Sequence, residues 1–213
     1  MTNILGEDIR SVIHEVGEPC EVYDHVTKTI TSDFVDFKRF WGTRIPFENE
    51  FQVLVSFAYN TTSKPGDRIK LLSDGTFYLI SNDVSEYFEG EVITKESFMY
   101  KCNSTFSSKR KGEPRRNDNY KLVSGYDYVV ENEHCLFSGM LEWGHKLIDN
   151  DIYGRFQLKK RKFIVSSDLD VKINDIVEVI PWRSTDMETW MVELVEANRL
   201  EGIKICDLGE FTG

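Results

Sequence analysis

The side chains in this sequence that could do chemistry are mostly carboxylates and cations. A GxSxG elbow, an HExxH helix, a GxxxxGKS or GxxxxGKT loop and a strand followed by GxGxxG are all missing. Glu131 and Glu133 would share one face of a strand, and such a pair can divide acid and base roles in glycoside hydrolysis. With 36 acidic residues, however, some pair always has that spacing. Cys20, Cys102, Cys135 and Cys206 lie far apart without a CxxC pair, and His134 beside Cys135 is only a fragment of a ligand set. The cysteines are expected to be reduced, buried small hydrophobes. The sequence predicts no catalytic function, no metal and no cofactor.

Cations are the better candidates for contact with a partner. The chain carries a net charge of −10 and a pI near 5.0, yet its basic residues gather in two runs. "SSKRKGEPRRNDN", residues 107 to 119, supplies Lys109, Arg110, Lys111, Arg115 and Arg116, and "KKRK" supplies Lys159, Lys160, Arg161 and Lys162. Salt screens surface charge within about 8 to 10 Å, so local patches can act despite the acidic total. "GRFQLKKRKF" interleaves Phe156 and Phe163 with cations, as a groove for single-stranded nucleic acid would. The acidic total and the neighbours Asp149, Asp151, Asp168 and Asp170 argue against an autonomous nucleic-acid binder.

These residues must be held by a scaffold that reads as mainly β. Ile9, Val12, Ile13 and Val16 recur at helical spacing behind Glu7 and Asp8, and Gly17 and Pro19 end the pattern, so one amphipathic helix is expected over residues 6 to 16. It is followed by "EVYDHVTKTIT", "FQVLVSFAY", "DRIKLL", "TFYLIS" and "GEVITKESFMYKC", strand patterns separated by turns such as "SKPGDR" and "SDGT". The lack of regularly alternating helices argues for antiparallel strands over a parallel βαβ sheet. No apolar run approaches the roughly 20 residues of a membrane-spanning helix. The first residues lack the pattern of a secretory signal, so residence in a cytosol is expected.

The pattern repeats. Trp41, Gly42, Phe51 and Gln52 line up with Trp143, Gly144, Phe156 and Gln157, and downstream Asp67 pairs with Asp175, Tyr78 with Met191 and Gly90 with Gly202. Two tandem small antiparallel β-barrel or sandwich modules follow: an N-terminal helix in 1–17, module one in 18–106, a basic linker or long loop in 107–119, and module two in 120–213. Alternate residues Phe51, Val53 and Val55, and Trp190, Val192 and Leu194, are expected to face inward.

The stretches "PGDRIKLLSDGTFYLIS" and "KINDIVEVIPWRSTDMETWMVELVEANRLEGIKI" resemble the small β-barrel connector proteins of tailed bacteriophages, the neck, stopper or head-completion proteins. In that family a "GD-hydrophobic" strand is followed by a turn, a second strand and a glycine-led strand. This chain departs from the single-barrel form in carrying two copies, with Asn174 where the first has Gly66. The resemblance implies a virion protein assembled in the host cytoplasm. It would form a homo-oligomeric ring between a portal or adaptor protein and tail proteins, with double-stranded DNA passing through the lumen and no membrane. The nine basic residues would then make inter-subunit or nucleic-acid contacts. The alternative is a cytosolic two-module β-barrel that binds nucleic acid or acts as an adaptor.

Overall fold

A computed structural model of the chain describes residues 3–38, 52–113, 115–116, 122–123, 125–138, 161–182, 184–198 and 200–211, with backbone alone at 115–116, 122–123 and 138. The helix α1 spans Ile4–Val16 and starts two residues earlier than its apolar spacing suggests. The reason is Asn3, whose side-chain oxygen accepts the Gly6 N–H at 2.9 Å and caps the first turn, while its Nδ2 donates to Val92 O at 2.7 Å. At the other end the Gly17 N–H closes on Ile13 O, and Ile13 is buried against the first sheet.

Among the described residues, twelve of fourteen strands form two closed barrels. The first contains β1 (Glu18–Tyr23), β2 (Ile30–Lys38), β3 (Gln52–Ala58), β4 (Arg68–Leu71), β5 (Phe77–Phe88) and β6 (Glu91–Lys101), paired antiparallel in the ring order β1-β2-β3-β6-β5-β4. The second is built from β7 (Ser104–Lys111), β10 (Tyr126–Ser138), β11 (Arg161–Ser166), β12 (Ile176–Pro181), β13 (Glu188–Glu196) and β14 (Ile203–Glu210). Its order, β7-β10-β11-β14-β13-β12, is that of the first barrel strand for strand. A two-stranded ribbon of β8 (Arg115–Arg116) and β9 (Leu122–Val123) lies between β7 and β10 in the chain.

Each barrel is closed around its own packed core. Val22, Val35, Val55, Phe57, Ile69, Ile80 and Met99 fill the first; Phe106, Phe163, Val165, Val177, Val192 and Leu208 fill the second. A third apolar cluster holds the barrels together, and it is made by the residues in between: Leu79, Cys102, Leu136, Ile164, Ile203 and Ile205. Strands such as β5 and β11 therefore bury both faces, one in a barrel and one against its neighbour. Burying a Leu or Ile side chain is worth about 1.5–3 kcal/mol, so the barrels are fused rather than tethered.

The joint is two residues long. β6 ends at Lys101, β7 starts at Ser104, and Asn103 between them takes the place of a strand residue. Its backbone N–H donates to Cys135 O (3.0 Å) and its carbonyl accepts from Trp182 N (2.8 Å). Its side chain accepts from Phe137 N at 2.8 Å and donates to Phe137 O at 2.7 Å.

The expected linker over 107–119 is corrected by this arrangement. Residues 107–111 complete β7, which pairs with both β10 and β12, so the second barrel begins at 104 rather than 120. Its inward positions are Ser104, Phe106 and Ser108, all buried, and two small serines hide the alternation. Leu194 is corrected too. A register shift between Val192 and Leu194 turns it outward, and it is 43% exposed. Val55, Trp190 and Val192 face inward and Val53 packs against the first core, whereas Phe51 lies outside the described residues.

Candidate functional site

The most ordered polar constellation occurs twice, once at the turn that leads into β4 and again at the turn that leads into β12. In the first, Asp67 N donates to Lys64 O (3.1 Å) and Lys64 N returns a bond to the Asp67 carboxylate (3.0 Å). In the second, Asp175 N donates to Lys172 O (3.2 Å) and Lys172 N to the Asp175 carboxylate (2.8 Å). The residue before each aspartate has left-handed backbone, Gly66 at φ 99° and Asn174 at φ 71°, as residue types that tolerate that region should. Each turn is then stitched to the strand beyond it, Gly66 N to Ile80 O and Ile80 N to Asp67 O, and likewise Asn174 N to Val192 O and Val192 N to Asp175 O. Both aspartates are buried.

A buried carboxylate needs donors on all its lone pairs, and the barrels meet that need differently. Asp67 receives the His25 N–H at 2.9 Å and His25 Nδ1 at 2.8 Å. Asp175 receives a two-pronged contact from Arg110, Nε to Oδ1 at 2.8 Å and Nη2 to Oδ2 at 2.9 Å. Arg110 also reaches Asp170 at 2.8 Å. The hydrogen bonds that Arg110 donates to Asp175 and then to Asp170 raise its guanidinium further above its ordinary value.

Asp24, His25 and Asp67 bring three potential metal ligands within 4.8 Å, the one such group among the described residues. Its carboxylate oxygens are already engaged. Asp24 accepts from Val26 N, Thr27 N and Lys64 Nζ, and the backbone bond from Thr27 followed by Lys64 lowers its pKa well below the usual carboxylate range. The chemistry of this group is that of a clamp on the β1–β2 turn.

The fold places one basic run on β7 and β8 and the end of the other at the start of β11, and it pairs several of their cations within the chain. Lys109 lies 2.5 Å from Glu178 and 4.6 Å above the Tyr128 ring. Arg110 is held by Asp175 and Asp170 as described. Lys162 pairs with Asp207 at 3.2 Å, and Arg161 lies over the rings of Phe137 and Trp190. Lys111 is exposed at the end of β7. Arg115 and Arg116 are placed by backbone in β8, while Lys159 and Lys160, with Trp41, Trp143 and Phe156, lie outside the described residues. Glu133 pairs with Arg68 of the other barrel, whereas Glu131 is exposed, and Asn132 between them has φ 50°. The two carboxylates do not form an acid–base pair.

Sequence reasoning missed the contact region between the barrels. There Lys28 meets Asp168 at 2.5 Å, Ser166 Oγ donates to Gly66 O at 2.7 Å, and Glu201 N donates to Asn82 Oδ1 at 3.1 Å. Phe77 stacks on His134 with ring centroids 3.6 Å apart. Burial, followed by the charges of Arg68 and Lys70, lowers the His134 pKa and keeps it neutral. The four cysteines are free and buried. No single residue type marks this region, although the unbroken apolar runs "TFYLI" and "KFIV" signal strands covered on both faces. No protein-family model matches the chain, and neither a curated protein nor a solved structure matches it.

Proposed function

We propose that this protein is a non-catalytic virion component of a tailed phage, a subunit of the ring in the neck that joins portal and head to tail and lets DNA pass. The observation that carries this reading is the recurrence of one closed barrel twice, with the same aspartate turn entering β4 and β12. Those turns are the stretches in which the chain resembles the connector proteins. A direct fusion of barrels through Asn103 suits a load-bearing ring better than a flexible tether would, because orientation is carried from one barrel to the other.

The alternative of a cytosolic nucleic-acid binder loses support from the pairing of Lys109, Arg110 and Lys162 within the chain. Cations already matched by carboxylates release few counterions on meeting phosphate. The test is an antibody against the protein used on a density gradient of the source culture, induced or infected. Co-sedimentation with full particles supports the neck reading, and absence from every particle fraction overturns it. Oligonucleotide binding that weakens steeply with salt would favour the alternative.

A further inference from the structure

The first barrel carries a strand edge that no other described strand covers. β5 pairs with β4 only through Phe77–Leu79, and from Asp83 to Phe88 it pairs with β6 alone. The hairpin exposes Val84, Tyr87 and Phe88 at 63%, 65% and 53%. Between Asp83 and Glu91 the sequence has four acidic residues and no basic one. An open strand edge with apolar side chains is a template for another strand, and the charge around this one selects a basic partner.

The second barrel carries a ribbon of the opposite kind. β7 leaves its neighbour β12 at Lys109, and the β7–β10 hairpin continues past that point into β8 and β9. From Lys109 to Arg116 the sequence has five basic residues and one acidic one; Lys109 and Arg110 are held by carboxylates of their own barrel, so Lys111, Arg115 and Arg116 give the hairpin its positive end. Lys111 is exposed, and Tyr126 and Tyr128 add 50% and 51% exposed aromatic surface on the paired strand. In one chain the two edges do not pair: among the described residues β5 pairs with β4 and β6 and meets Glu201 at Asn82, and β7 pairs with β10 and β12.

We propose that the occupant of the β5 edge is a second copy of this chain, which docks the basic β7–β10 hairpin of one molecule on the acidic β5–β6 hairpin of the next. The two surfaces belong to different barrels and differ from each other, so the contact is head-to-tail and leaves an unused surface of each kind on every pair. Repetition gives a ring or a filament rather than a closed dimer. This deepens the ring part of the proposed function by naming the surfaces.

The test is sedimentation velocity of the purified full chain over a concentration series at low and high salt. The wild type is expected to associate more as concentration rises and less as salt rises. Glu86→Lys with Glu89→Lys, and separately Lys111→Glu with Arg115→Glu and Arg116→Glu, should each weaken association at least tenfold with melting temperatures near wild type. An equal mixture of the two variants should associate again, because each supplies the charge that the other lost, which a merely misfolded variant cannot do. A wild type that stays monomeric at every concentration, variants that assemble like wild type, or a mixture that stays monomeric would overturn the assignment. The particle gradient judges the neck reading separately: a chain found in particles whose variants still assemble would keep that reading and lose these surfaces.

Discussion

Asp67 and Asp175 occupy the same place in their two barrels, each accepting the backbone N–H of the residue three positions earlier, yet one is completed by histidine and the other by arginine. Asp67→Asn keeps the shape but presents an NH2 group to an N–H donor, so it should lower stability by about 1–3 kcal/mol. Arg110→Ala should cost more than Asp175→Asn, toward about 3–5 kcal/mol, because it leaves a buried carboxylate uncompensated. Urea denaturation of the three variants checks the order, and an Arg110→Ala midpoint at or above that of Asp175→Asn would refute it.

Asn103 is the second test. Replacing it by Ala removes both side-chain bonds to Phe137 and leaves that residue's N–H and carbonyl without partners at the joint, a loss of about 2–4 kcal/mol. Because the joint couples two closed barrels, the variant should unfold in two steps where the wild type unfolds in one. Hydrogen exchange followed separately in β1–β6 and in β7 with β10–β14 reads the difference, and a single transition with equal protection in both sets would place the coupling elsewhere.

Much of this organisation was legible in the sequence, for identifiable reasons. The pairing of Asp67 with Asp175 and Gly90 with Gly202 survives, since turn chemistry at left-handed positions leaves few choices of residue. Tyr78 corresponds to Trp190, not to Met191: both are inward and face Ile69 and Val177 in register. A one-residue slip was invisible because "FYLI" and "TWMV" are apolar on both faces. β7 reads as a linker in the sequence because its charge density and the nearby Gly and Pro outweigh a faint alternation of one Phe and two Ser. Asn103 gave no signal, as nothing in "KCNST" distinguishes an amide completing a β-ladder from one in a loop.

Gly90 and Gly202 make a matched pair for the contact between barrels. Both have left-handed backbone, φ 86° and 80°, in equivalent hairpins. An added Cβ at Gly90 would meet open space, whereas at Gly202 it would run into the backbone of Pro65 and Gly66 in the other barrel. Gly90→Ala should therefore cost only the backbone term, about 1 kcal/mol. Gly202→Ala should add about 1–3 kcal/mol of overpacking. Equal thermal shifts for the two would mean that the barrels do not approach each other at Pro65–Gly66.

His134 makes the same contact sensitive to acid. Burial first, then Arg68 and Lys70, depress its pKa from the ordinary 6.5, so the folded chain excludes a proton that the unfolded chain accepts. Its contribution is whole above pH 6.5 and is lost as pH falls from there through the lowered folded value, at about 1.4 kcal/mol for each pH unit of that interval. His134→Phe would retain an aromatic ring beside Phe77 and remove the titration. Its urea midpoint should fall less than that of wild type between pH 7.5 and 5.5. Parallel falls in the two proteins would assign the acid sensitivity to other groups and leave His134 a packing residue only.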